Sequence, residues 1–195
     1  MNPISDRRSI RKFLFDPVPE NMIEEIVRAG TLAPSAKNRQ PWRFIAVSEG
    51  SKEAALSAME RGLEREKRCP FLPDSAEFLS DAENTLRIMR QAPVTIFVVN
   101  ALGVDLRRPL SVDERVYEIC NTQSIGAAVQ NMSLAAQSLG LGTLWIGNVF
   151  FAFDELTEFL HTDGVLCAAL SVGYPAEKPD PRPRKAINEV FDRRK

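Results

Sequence analysis

The longest apolar pattern in the chain lies between Ser111 and Asn148, SVDERVYEICNTQSIGAAVQNMSLAAQSLGLGTLWIGN, and it has no clean polar face. Ile119, Cys120, Ile125, Val129, Met132, Leu134 and Leu139 fall on all sides of a helix, while Gly126, Ala127, Ala128, Ala135 and Ala136 are small enough for another backbone to come close. A helix apolar nearly all round is buried. Ser111 with Glu114 at the third position beyond it predicts a capping-box start, and Gly140 with Gly142 predict the end. From Val112 to Leu139 the helix runs roughly 40 Å at about 1.5 Å per residue, so it either threads the middle of the fold or packs against a partner chain. A short strand, Thr143 to Ile146, follows. Gly147 comes next, where the lack of a side chain would let a flat ligand touch the backbone.

The rest of the chain alternates helical periods with short apolar runs. Asn2 to Arg8 predicts a short helix leading into RRSIRKF, and Pro19 to Ala29 a helix with Met22, Ile23, Ile26 and Val27 inward, closed by Gly30. The loop APSAKNRQPW, Ala33 to Trp42, is rich in turn formers and feeds a strand at Phe44 to Val47. Ser51 to Arg68 reads as an amphipathic surface helix, and Asp74 to about Arg90 as another helix. Val94 to Val99 is a continuous apolar run, expected of a central strand covered on both faces. Ala101 to Leu110 is a loop, Phe151 to His161 a short helix, and Val165 to Val172 a last core strand. The tail AEKPDPRPRKAINEVFDRRK has too much proline and charge for a core of its own and must lie across something. No repeat or linker divides the chain, so residues 1–195 form one domain with a C-terminal arm at about 175–195.

Composition narrows the chemistry. A formal net charge of −1 gives no general attraction for nucleic acid or anionic lipid, so any polyanion site is local. The arginines are uneven: Arg7, Arg8 and Arg11 cluster at one end, Arg182 and Arg184 at the other. Cys69, Cys120 and Cys167 lack metal-ligand spacing and suit a reducing compartment. With no signal peptide and no transmembrane run, the cytoplasm is the expected location. The single histidine, His161, has no nucleophile motif near it, no metal-ligand set is visible, and both nucleotide-binding glycine motifs are missing. What remains is two arginine clusters, a Pro/Ser/Asn loop and a glycine-bearing strand. If the two ends meet, they make a phosphate clamp beside an apolar slot.

Four segments in this order, RRSIRKF, APSAKNRQPW, SLGLGTLWIGN and the Pro-Arg-Pro-Arg-Lys tail, resemble the signatures of the flavin-dependent nitroreductase family, from about Ile4 to Lys185. The resemblance implies an α+β fold with a mostly antiparallel central sheet flanked by helices, an interwoven homodimer with exchanged arms, and FMN at the subunit interface. Carried over by position, Arg7, Arg8, Ser9 and Arg11 resemble the first FMN-binding run, with Arg7 and Ser9 near the phosphate and Arg11 near the pyrimidine edge. Pro34, Ser35, Ala36 and Asn38 resemble the loop laid against the flavin by a second subunit. Asn84 and Arg87 fall where the family has an Asn and a cation beside the ring carbonyls. Trp145, Ile146 and Gly147 look like the strand passing flavin N5, with a backbone N–H as donor, and Arg182 and Arg184 like the pair closing on the phosphate. The implied activity is reduction of a small molecule, such as a nitroaromatic or quinone, with NADH or NADPH as donor and no protein acid or base strictly needed. A flavin-cleaving enzyme, a reductive dehalogenase and a flavin-binding or sensory module of the same fold remain alternatives.

Overall fold

A computed structural model describes residues 2–194. Its centre is one four-stranded sheet in the order β1-β2-β4-β3, antiparallel at every pairing, made of β1 (Trp42–Ser48), β2 (Val94–Asn100), β3 (Gly142–Ile146) and β4 (Val165–Gly173). β2 is buried at every position, as its unbroken apolar run requires. Its alternation divides the core. Val94, Ile96 and Val98 join a cluster with Ile23 and Ile26 of α2 (Glu20–Thr31) and with Ile125, Val129 and Met132 of α5 (Val112–Ser138). Phe97 and Val99 join the cluster on the other face, with residues of α3 (Glu49–Arg68), α4 (Leu79–Gln91) and α6 (Phe153–Leu160). The architecture is therefore helix, sheet, helix, and the α+β expectation holds.

Several local expectations change. Gly30 does not close α2; it lies inside the helix, and a β-carbon there would be 2.8 Å from Met132 Cγ, so glycine is needed for the approach of α5. The segment after Asp74 is a 3-10 stretch, Pro73–Phe78, before α4 begins. α3 is not merely a surface helix: Leu56, Met59 and Leu63 belong to the core. Its Glu66 is only 5% exposed and accepts the backbone N–H groups of Phe71 at 2.9 Å and Leu72 at 2.7 Å, beside the Arg65 guanidinium. Arg65 reaches on to Glu155 of α6 at 3.0 Å. A carboxylate stays in such a place only where bonds of this kind meet it.

The capping box of α5 is formed: the Ser111 hydroxyl accepts the Glu114 N–H at 3.3 Å, and the Glu114 carboxylate accepts the Ser111 N–H at 2.9 Å. The Arg108 side chain, with the Ser111 backbone, brings the Glu114 pKa down to about 2. The helix ends at Ser138, capped by Leu139, with Gly140 in the left-handed region at φ 77°. Gly142 has a different task. It opens β3 beneath Ile10, whose Cγ1 would lie 2.6 Å from any β-carbon at that position.

That contact shows how the N-terminus is held. The Ile10 N–H donates to the Thr143 carbonyl at 2.9 Å, Leu14 to Tyr174 at 2.9 Å, and Ala176 back to Lys12 at 2.9 Å. Glu177 accepts the backbone N–H groups of Arg11 and Lys12 at 2.5 and 3.2 Å. Residues 9–14 thus lie between the rim of β3 and the chain leaving β4, and the tail turns back along them. α1 (Pro3–Asp6) precedes this run and α7 (Ile187–Val190) follows it in the exposed tail.

Candidate functional site

The pairing of the two termini brings both arginine clusters to one place. Arg7, Arg8, Ser9 and Arg11 line a small concavity of about 90 Å³ together with Arg182 and Arg184. Among the described residues none of these five guanidiniums pairs with a carboxylate. Three of them donate to carbonyls: Arg8 to those of Ser5 at 2.7 Å and Arg7 at 2.9 Å, Arg11 to Ser9 at 3.3 Å, and Arg184 to Pro183 at 3.3 Å. Carbonyls orient the planar forks but leave their charge in place. Asp180 is the lone carboxylate among the lining residues, so the concavity is strongly positive. A small multivalent anion is what such a cradle fits.

Arg11 and Arg182 also line an adjoining slot of about 360 Å³, whose walls are Asp81, Asn84, Thr85 and Ile88 of α4 and residues 144–148. The slot follows the outer edge of β3. Its first half is covered by the Ser9 to Thr143 bridge; the second half, at Trp145 and Ile146, borders the slot, and an edge strand offers unpaired backbone N–H and C=O groups there. Trp145 is 47% exposed and is not a core residue. Gly147, at φ −93°, would bring a β-carbon within 4 Å of nothing in the chain, so the space beside it is open.

Two residues that sequence reasoning passed over fix this geometry. The Asn148 amide donates to the Thr85 hydroxyl at 2.9 Å, and that hydroxyl donates to the Asp81 carbonyl at 2.9 Å. α4 is thereby tied to the residue after Gly147. A signal existed, because Asn148 ends the SLGLGTLWIGN segment and Thr85 follows Asn84, but nothing in either segment announces the other.

Other expected residues lie elsewhere. Arg87 is exposed on α4 and does not line the slot that holds Asn84. Pro34, Ser35, Ala36 and Asn38 line neither the clamp nor the slot of their own chain. Their loop rests on α5, where the Ala36 N–H meets the Ser124 hydroxyl at 3.4 Å, and Ser35 accepts the Gln40 N–H at 3.0 Å. Lys37, Asn38 and Gln40 hold φ values of 53°, 53° and 47°, backbone strain of a kind that clusters at functional sites.

Other chemistries find no support among the described residues: no group of metal-binding side chains occurs, and the three cysteines are free. Burial pushes the Cys167 thiol up to about 11, which leaves it protonated. Among the described residues no helix is long and apolar enough to cross a membrane.

A model of the nitroreductase family matches residues 4–174. The chain belongs to the nitroreductase family. A Bacillus subtilis relative, provisionally named NAD(P)H nitroreductase YfhC, is 29% identical over 191 residues, covering 96% of this chain and 90% of that protein. The 5,6-dimethylbenzimidazole synthase of Rhodospirillum rubrum is 27% identical over 186 residues, covering 88% of this chain and 80% of its own. Among solved structures, a Desulfovibrio desulfuricans protein in complex with FMN aligns with a TM-score of 0.70 at 26% identity, over 98% of this chain and 95% of that one. The nitroreductase fold accounts for the arginine-rich N-terminal run, the long helix and the edge strand in one arrangement, although α5 is not buried all round as its apolar pattern predicts: within this chain Val112, Val116 and Ile119 are exposed.

Proposed function

We propose that this nitroreductase-family chain is an FMN-dependent oxidoreductase that takes electrons from NADH or NADPH and reduces small electrophiles such as nitroaromatics or quinones. The observation that carries the reading is the junction of clamp and slot: guanidiniums with no carboxylate partner beside an open strand edge whose Gly147 has free space in front of it. These residues fit FMN, a phosphate monoester at one end and a flat amphipathic ring at the other. When bound, FMN supplies the redox chemistry, taking hydride from the nicotinamide and giving it to the acceptor in alternation. Arg7, Arg8, Arg182 and Arg184, with Ser9, would hold the phosphate. Arg11 stabilises the negative charge that reduction adds on the pyrimidine side, helped by Asn84. Trp145 and Ile146 would support the ring, and the Gly147 backbone N–H would be the donor offered to its reacting edge. A second reading, a family member with a different reaction, draws on the Rhodospirillum relative. The purified protein is expected to be yellow, to bleach on addition of NADH or NADPH, and to recolour with a nitroaromatic or quinone. A flavin-loaded protein that neither nucleotide reduces would favour the second reading.

The site is proposed to be complete only in a homodimer of the cytoplasmic enzyme. Val112, Val116 and Ile119 recur along one face of α5 and are 79%, 51% and 52% exposed. The tail adds Ile187, Val190 and Phe191, all exposed on a segment without a core of its own. A second copy covering these surfaces would also bring its Pro34–Asn38 loop to the slot. Obligate interfaces bury about 2,000 Å² or more, and a charge at their centre is costly to desolvate. Light scattering should give twice the chain mass for the parent and a loss of dimer for Ile119→Arg. A folded, flavin-loaded monomer at low concentration would refute this.

A further inference from the structure

β3 leaves its ladder at Ile146, paired with Ala169, and the chain is next held at Val149, which is fully buried. Beyond it Ala152 packs so closely on α3 that a β-carbon at Gly62 would lie 2.2 Å from the Ala152 Cβ. Only Gly147 and Asn148 lie between these two anchors. Gly147 is exposed, a β-carbon there would touch nothing within 4 Å, and glycine has the widest backbone freedom of any residue. Among the described residues no backbone carbonyl takes its N–H. The donor offered to the reacting edge therefore belongs to the least restrained residue of the slot.

Asn148 carries the only side chain in that span, and it reaches across to α4. Its amide donates to the Thr85 hydroxyl at 2.9 Å, and Thr85, 8% exposed, gives its own proton to the Asp81 carbonyl at 2.9 Å. The hydroxyl is left with acceptor capacity alone, which fixes the sense of the bond. Thr85 and Asn148 line the slot from two different walls, so the bond sets the spacing between them. It also ends beside both groups that would meet the ring, since Gly147 precedes Asn148 and Asn84 precedes Thr85. Nothing else in the span from Ile146 to Val149 can transmit the position of α4 to the Gly147 N–H.

We infer that Asn148 and Thr85 are positioning residues, whose bond holds the Gly147 N–H and Asn84 at the spacing hydride transfer needs and so sets the rate of flavin reduction rather than flavin affinity. This rests on the flavin reading above. Asn148→Ala, Thr85→Val, their double variant and Thr85→Ser are compared with the parent, all loaded with FMN. Thr85→Val removes the hydroxyl at nearly constant volume, and Thr85→Ser keeps it. Asn148→Ala and Thr85→Val should each slow the limiting rate of reduction at saturating NADH or NADPH by about tenfold or more, with the FMN Kd within about threefold of the parent's. The double variant should be within about twofold of the slower single, because one bond is lost only once. Thr85→Ser should reduce like the parent. A second readout is independent of turnover. In protein carrying isotope-labelled glycine, the Gly147 amide signal, identified by its absence from Gly147→Ala, should shift or broaden in Thr85→Val and keep its place in Thr85→Ser. Parent rates in the loaded Asn148→Ala or Thr85→Val protein would overturn the inference. So would losses that multiply in the double variant, which would give each residue a separate role, or a Gly147 signal that Thr85→Val leaves unmoved. Variants that lose melting temperature and flavin in step would make the bond structural only, and the inference would fall. A parent that binds no flavin defeats the flavin reading itself and the inference with it, whereas a working parent with unchanged variants defeats the inference alone.

Discussion

Gly147→Val is expected to melt like the parent, keep most of its FMN and lose about two orders of magnitude or more in the rate of reduction by NAD(P)H. Each part has its own structural reason. The backbone at Gly147 lies in an ordinary region at φ −93°, and a β-carbon there meets nothing within 4 Å, so the fold accommodates valine without strain. The clamp of Arg7, Arg182 and Arg184 is a separate concavity and keeps its grip on the phosphate. Only the slot beside the strand edge changes, because the new isopropyl group enters the open space in front of the N–H. A displacement of about 1 Å in a hydride-transfer geometry costs about 100-fold in rate. Stopped-flow reduction, melting temperature and flavin content, measured on one preparation, separate the steps. Normal reduction kinetics in the loaded variant would mean that the reacting edge faces another strand.

The double variant Arg7→Ala/Arg184→Ala should come off the column nearly colourless. A hydrogen bond to a charged group contributes about 1.5–3 kcal/mol, so two such losses would total about 3–6 kcal/mol if they were independent, a factor of about 100 to 20,000 in Kd. Arg7 is half-buried and Arg184 exposed, and neither holds a carboxylate, so the flavin-free protein should keep a melting temperature close to the parent's. The single variants should fall between, and not additively, because the two forks share one anion. Full occupancy in the double variant would remove the phosphate assignment.

Local signals in the sequence carried much of this architecture. The Ser111 to Glu114 box and the run Val94 to Val99 each state their structure within a few residues, and the two arginine clusters needed only the condition that the ends meet. What escaped was long-range. The period of α3 shows one polar face, but only the packing of α6 reveals that Glu66 is buried and that Leu56, Met59 and Leu63 are core. Glycine reads locally as a helix stop, which is right for Gly140 and wrong for Gly30, where the deciding atom belongs to Met132. The bond from Asn148 to Thr85 joins two segments whose sequences say nothing of each other. Trp145 could have been core or site from composition alone, and its exposure on an edge strand decides.

The laying of residues 9–14 between β3 and the chain beyond β4 also bears on the order in which the molecule assembles. β1, β2, β4 and the helices over them can pair from contacts within and around the sheet, but the arginine cradle joins the first residues of the chain to nearly the last. Closing so long a loop is entropically unfavourable and gains contacts only after the intervening chain is ordered. On the ribosome Arg7 and Arg8 therefore stay apart from the rest of the cradle until Arg182 and Arg184 emerge. By the same reasoning the anion cradle closes late, after the sheet whose strands it spans.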